Sequence, residues 1–141
     1  MPNYDASNTN NSKRATRIYK DLDLDFGRNP VTNDVNKLTD VEAVKRSVRN
    51  LINTNHYERP FHPEIGSGIR GLLFEPISPL TSLALQRKVE EVLLNFEPRA
   101  SLVQVLSTAN VDRNSYDLKI MFYVVGSEEP VEVETFLERL R

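Results

Sequence analysis

The spacing of apolar positions changes period along the chain. From Thr39 onward, Val41, Val44, Val48, Leu51 and Ile52 recur at helical spacings, which keeps them within about 100° of one face and predicts a helix. Thr39 followed three residues later by Glu42 predicts a capping box at its start. The other face carries Lys45, Arg46 and Arg49, expected to lie in water. A second helix is predicted over 79–96, with Ser78 as N-cap and Pro79 at the first helical position, where a missing N–H costs little. Leu85, Val89, Val92, Leu93 and Phe96 share its buried face. Leu80 and Leu83 fall on the side that also bears Arg87, Glu90 and Glu91, so they either cover the short helical segment Ile69–Phe74 or meet another protein.

After Pro98 the period falls to two. Residues 102–111 and 115–125 read as strands joined by the turn Asp112-Arg113-Asn114, and 131–138 reads as a third strand after Gly126-Ser127-Glu128-Glu129-Pro130. This order predicts an antiparallel meander. Tyr116, Leu118, Ile120, Phe122 and Val124 give its middle strand one continuous apolar face, suited to receiving both helices. The last strand alternates glutamates with apolar residues and reads as an edge, where charge discourages aggregation but a partner's strand can still be added. The expected fold is α+β, two main helices packed on a three-stranded antiparallel meander with a flexible N-terminal arm.

That arm is residues 1–17, rich in Asn, Ser and Thr, with too little apolar surface to offset the entropy of ordering. It is expected either to remain idle or to order on a neighbour through Lys13, Arg14 and Arg17. The remainder, 18–141, is expected to be one domain, consistent with a length of 141 residues. Cysteine is absent, which excludes disulfides, thiolate metal sites and a cysteine nucleophile. A net charge of −2 with 27% charged residues does not suggest a strongly basic nucleic-acid binder. No apolar run approaches the roughly 20 residues of a membrane span, and no secretory signal is legible, so the chain is expected to be soluble as made.

Several patterns resemble chemical motifs without their context. Asp21, Asp23 and Asp25 match the first ligand positions of a calcium loop, but Phe26 stands where glycine is needed and Thr32 where a bidentate glutamate is needed. A short strand with Leu22, Leu24 and Phe26 buried and the aspartates in water is the simpler expectation. Gly66-Ser67-Gly68-Ile69-Arg70-Gly71 matches a dinucleotide fingerprint, yet Pro60-Phe61-His62-Pro63 before it cannot be a buried parallel strand. The glycines more simply allow a sharp turn into the short helix. His56 and His62, near Glu58 and Glu64, match no metal spacing. No nucleophile stands beside a base; paired carboxylates for glycoside hydrolysis stay open at this level, because spacing in sequence does not measure their separation. No cofactor or metal is expected.

Glu97-Pro98-Arg99 is the most informative local feature. Pro98 ends the long helix, leaving Glu97 at the negative end of the helix dipole, where an acid needs a compensating cation. That cation is either a local one, Arg99 or Arg59, pinning the helix-to-strand corner, or the triplet makes a charge-assisted contact with another subunit.

Arg59-Pro60-Phe61-His62-Pro63-Glu64-Ile65-Gly66, then Gly71-Leu72-Leu73-Phe74-Glu75-Pro76 with Thr81, then Glu97-Pro98-Arg99 together resemble the baseplate wedge, or sheath-initiator, family of contractile phage tails, which includes the type VI secretion baseplate component. The resemblance spans roughly residues 18–140. It implies a structural, non-enzymatic virion protein of the tail baseplate, made and assembled in the host cytoplasm, that binds the larger wedge proteins through Glu97, Pro98 and Arg99. It further implies that the edge strand Val131–Leu140, with Val131, Glu132, Val133, Glu134, Thr135 and Leu137, pairs with tail sheath and seeds its first ring. Glu132, Glu134 and Glu138 would then complement a basic partner. Tube or hub proteins are further implied partners, and nucleic acid, membrane and small-molecule substrates are not. Arg99→Glu would, on this reading, leave the domain folded and abolish wedge binding. The alternatives that the resemblance carries are a type VI secretion-like component and a lysozyme-like wall-degrading enzyme; the fold also resembles a bacterial anti-adaptor.

Overall fold

The computed structural model describes residues 19–140; the arm expected over 1–17 lies outside them. The elements are β1 (Lys20–Leu22), β2 (Lys37–Thr39), α1 (Asp40–Asn53), α2 (Ile69–Leu72), α3 (Pro79–Phe96), β3 (Ala100–Asn110), β4 (Ser115–Val124) and β5 (Pro130–Glu138). The last three form an antiparallel sheet in the order β3-β4-β5, while β1 and β2 form a separate antiparallel ribbon. Both main helices and the meander are where periodicity places them. The boundaries differ slightly: β3 starts two residues early and carries an irregularity between Leu102 and Gln104, and the short helix stops at Leu72 rather than Phe74.

One sheet face is dry. Tyr116, Leu118, Ile120, Phe122 and Val124 of β4 are all buried, joined by Val105 of β3 and by Val131, Val133 and Leu137 of β5. Leu85, Val89, Val92 and Leu93 of α3 and Val44, Val48, Leu51 and Ile52 of α1 complete the same core. Polar pins fix the layers: Ser82 Oγ on α3 donates to the Ser107 carbonyl of β3 at 2.6 Å, and Thr81 Oγ1 donates to the Pro76 carbonyl at 3.0 Å. After β5 the chain folds back, with the Leu140 N–H donating to Leu73 O at 3.0 Å and Arg139 Nε donating to Glu75 O at 3.0 Å.

The helix starts differ in chemistry. Ser78 caps α3 as expected, its hydroxyl accepting from the Thr81 N–H at 3.1 Å. Thr39 makes no side-chain cap, which corrects the capping box. Thr39 is instead the last residue of β2, paired with Lys20, and Asp40 takes a left-handed φ of 49° that turns the chain into α1. The Asp40 carboxylate accepts from the Tyr19 N–H at 3.2 Å, tying the ribbon to the helix.

Two further expectations fail, one in the ribbon and one on α1. Leu22, Leu24 and Phe26 are 53%, 48% and 69% exposed rather than buried, because the strand ends at Leu22 and its ribbon is no part of the main sheet. Asp21 and Asp25 stay exposed as expected and Asp23 is half-buried, but Asp23 and Asp25 both accept from Arg46 Nη2, at 3.2 and 2.6 Å, so Arg46 is not a solvated face residue. Of the two alternatives for Leu80 and Leu83, their exposure fits contact with another protein and not cover of the 69–74 segment.

Replacing Ser78 with alanine should lower the unfolding free energy by about 1 kcal/mol, whereas Thr39→Ala should change it by less than about 0.5 kcal/mol. Urea unfolding of the two variants distinguishes a working cap from a strand residue that sits in the cap position.

Candidate assembly interface

Glu97 sits at the C-cap of α3 and is buried, 3% exposed, although it is ionisable and stands where the helix dipole disfavours an acid. Its charge is met by a fork. Arg99 Nε donates to Oε1 at 2.6 Å and Arg99 Nη2 donates to Oε2 at 2.8 Å. Ser47 Oγ of α1 donates to Oε2 as well. Of the two local cations that sequence left open, Arg99 is the partner; Arg59 lines a neighbouring hollow with Asp21, Leu24, Ser47, Asn50, Leu51, Ile65 and Phe96. Burial alone would raise the carboxyl of Glu97, but the hydrogen bonds from Arg99 and Ser47 outweigh it and hold the group below the usual glutamate range.

Pro98 makes the fork possible. It ends α3 at Phe96, with Glu97 as the C-cap, and the two-residue step brings Arg99 back onto Glu97 before β3 begins. The next strand is tied to the same corner, since the Val125 N–H donates to Arg99 O at 2.9 Å. Tyr19 closes it from outside, with the Arg99 guanidinium carbon 5.8 Å from its ring centroid and its hydroxyl donating to Val125 O at 3.3 Å. The Arg99 side chain nevertheless remains 29% exposed. Corner and partner contact are therefore not separable by charge reversal. Arg99→Glu would set a second carboxylate against a buried one, so this variant is expected to lose stability as well as any partner contact.

The second candidate feature is β5, which pairs with β4 on one side and with no described strand on the other. Val131, Val133 and Leu137 point into the core and Thr135 is half-buried, while Glu132, Glu134 and Glu138 face water. Two of these glutamates are already engaged within the sheet: Lys119 of β4 pairs with Glu132 and lies 3.5 Å from Glu134. The Lys119 ammonium holds the Glu132 carboxyl below its usual range. Glu138 makes no ion pair among the described residues. The edge also ends earlier than Leu140, because Arg139 and Leu140 are bonded back to the 73–75 and 114 backbone.

The open face of the sheet holds a shallow hollow of about 480 Å³ lined by Leu106, Thr108, Asp117, Lys119, Glu134 and Phe136. The dinucleotide-like glycines serve the backbone: Gly68 takes a φ of 61° at the start of α2, and a Cβ on Gly66 would stand 2.5 Å from the Asn55 carbonyl carbon and the His56 nitrogen. His62 pairs with Glu64 at 3.1 Å. Among the described residues no group of three or more His, Asp or Glu is placed to hold a metal ion.

A buried charged corner and an unpaired strand edge on one small α+β domain are the features of a structural assembly protein. The sequence profile of the family described as baseplate wedge protein gp25 matches residues 39–127, and the chain belongs to that family. It is 28% identical over 116 residues to baseplate wedge protein gp25 of Enterobacteria phage T4, covering 82% of this chain and 87% of that one. Its fold is similar to that of a Geobacter sulfurreducens protein described as a tail lysozyme, at a TM-score of 0.66 and 23% identity over 71% of this chain and 91% of the other. It is likewise similar to a chain of the anti-feeding prophage baseplate, at a TM-score of 0.61 and 22% identity over 88% of both chains. The protein is thus a structural component of the baseplate wedge class of contractile tails.

Glu97→Ala should cost about 3 kcal/mol, the lower end expected for breaking a buried pair, because Arg99 retains contact with water. The pH dependence has a defined sign. The folded Glu97 binds its proton less readily than the unfolded one, so its stabilisation is present above an ordinary glutamate pKa of about 4.3 and is lost as pH falls through the lower folded value. Denaturant midpoints measured between about pH 6 and pH 2 should fall less steeply for Glu97→Gln than for the unaltered chain.

Proposed function

We propose that this chain joins the other wedge proteins of its baseplate through the Glu97-Pro98-Arg99 corner and seeds the first ring of tail sheath by adding a sheath strand to β5. The observation that carries this reading is the corner itself. A carboxylate buried to 3% exposure fixes a guanidinium that is still partly open to solvent, so a partner meets a charge already held in place. For β5, support comes from an edge unpaired among the described residues, whose N–H and C=O groups can set the register of an added strand. Charge selection falls chiefly to Glu138, since Glu132 and Glu134 share Lys119.

The described residues 19–140 act as the wedge unit. The protein works without catalysis, cofactor, nucleic acid or membrane, within the tail baseplate, after synthesis and assembly in the host cytoplasm. Sheath and wedge proteins are its principal partners, with tube or hub proteins adjacent. A wall-degrading role is the weaker reading. Glu97, the buried carboxyl, is held ionised by Arg99, whereas a glycosidase acid must retain its proton near neutral pH.

Interrupting the gene and imaging the resulting particles tests the assembly role. Tubes without sheath, or no tubes, are expected; fully sheathed tails that fail to enter cells would point to the enzyme instead. Arg99→Lys refines the test, since it keeps a cation beside Glu97 but loses the planar fork. The variant should remain folded and should be incorporated into baseplates less than the unaltered chain.

A further inference from the structure

The middle strand of the meander has two unlike faces. Leu118, Ile120 and Phe122 lie in the core with α1 and α3, and the residues between them face the other way. The strand registers set what surrounds those outward residues. Leu106 of β3, Lys119 of β4 and Glu134 of β5 stand in one row, and Thr108, Asp117 and Phe136 stand in the next. An antiparallel sheet with one dry face usually keeps the other polar. Here Leu106 is 41% exposed on the open face and Phe136 is 52% exposed, with Tyr123 further along β4 at 40%. Leu106 and Phe136 come from the two outer strands, so they flank the hollow of about 480 Å³, and Asp117 and Lys119 lie between them.

The charge of this face is one-sided. Lys119 pairs with Glu132 and lies 3.5 Å from Glu134, while Asp117 makes no ion pair among the described residues. Three carboxylates thus stand against one ammonium, a local net charge of −2. Further along β5, Glu138 adds another carboxylate. The Arg139 guanidinium next to it donates to Glu75 O at 3.0 Å and to Asn114 Oδ1 at 3.5 Å, at the end of the sheet. Apolar walls and an acidic floor therefore share one concave surface, separate from the Glu97-Pro98-Arg99 corner and from the backbone edge of β5.

We propose that this hollow receives an arginine from a basic segment of a different protein, its stem between Leu106 and Phe136 and its guanidinium on Asp117 and Glu134. A long side chain with an apolar stem and a cationic head matches both parts of the surface. A guanidinium adds a planar fork for the carboxylates and can lie over the Phe136 ring. Charge disfavours a second copy of this chain. Two such faces brought together would set net −2 against net −2. The whole chain is also −2, so another copy carries no positive excess to offer. Its exposed Arg59 and Arg70 stand near Glu58 and Glu64, which leaves that surface close to neutral.

The test uses tails assembled in cells where the gene for this chain is interrupted and a copy is supplied in trans. With the photo-cross-linking residue p-benzoylphenylalanine at position 106, the chain should cross-link to one other tail protein, at a segment that carries arginine. Asp117→Asn keeps the shape of the side chain and removes its charge, and should lower incorporation into tails about tenfold. The purified variant should unfold at the same denaturant midpoint as the unaltered chain. Should that midpoint fall, Thr108→Lys decides the matter, since it places a cation beside Asp117 from β3 and should lower incorporation by a similar factor. Positions 106, 108 and 117 lie on β3 and β4, so these results stand or fall independently of strand addition at the β5 edge. Normal incorporation of the stable variant, cross-links confined to residues of this chain in the same or another copy, or no cross-link in assembled tails would each overturn the proposal.

Discussion

A carboxylate that the helix dipole repels and the core nearly closes over holds this fold together at its corner. Glu97 survives there because Arg99 grips both of its oxygens and Ser47 reaches it from α1. One side chain therefore joins the end of α3, the start of β3 and the flank of α1. A cap by an uncharged residue would satisfy the helix end but would not orient a guanidinium. The corner exchanges some intrinsic helix stability for a cation of fixed direction.

The rest of the architecture follows from that junction. Pro98 forbids the helix from continuing, the chain reverses into β3, and the register of the meander sets which face of β4 is dry. The same register leaves β5 at the margin. Lys119 then bridges Glu132 and Glu134 across β4 and β5, and its one positive charge offsets one of the strand's negative charges. Tyr19 packs over Arg99 from the ribbon, so the first described residues belong to the corner rather than to a separate appendage.

Much of this was legible in the residues. The helix over 79–96 with its Ser78 cap, the meander, the buried face of β4 and the need for a cation beside Glu97 all followed from spacing and dipole arguments, because each leaves its mark in the residue pattern of one short stretch of chain. What escaped prediction depends on residues far apart in sequence. Asp23 and Asp25 bind Arg46 across more than twenty positions, while Leu22, Leu24 and Phe26 are exposed rather than buried as their alternation suggested. Thr39 carried a valid cap signature but was claimed by strand pairing with Lys20. The exposure of Tyr57 and Phe61 had no signal in periodicity, since both lie in the connection between α1 and α2 and not in a helix or strand.

A wedge protein built on a pre-oriented corner and an unpaired edge should bury both on assembly, and the most direct measurement is a cryo-electron microscopy reconstruction of the baseplate that contains this chain. The account predicts Arg99 covered by another wedge protein and a fourth strand, contributed by sheath, hydrogen-bonded along β5. A reconstruction in which Arg99 and the β5 edge both remain open to solvent would contradict it.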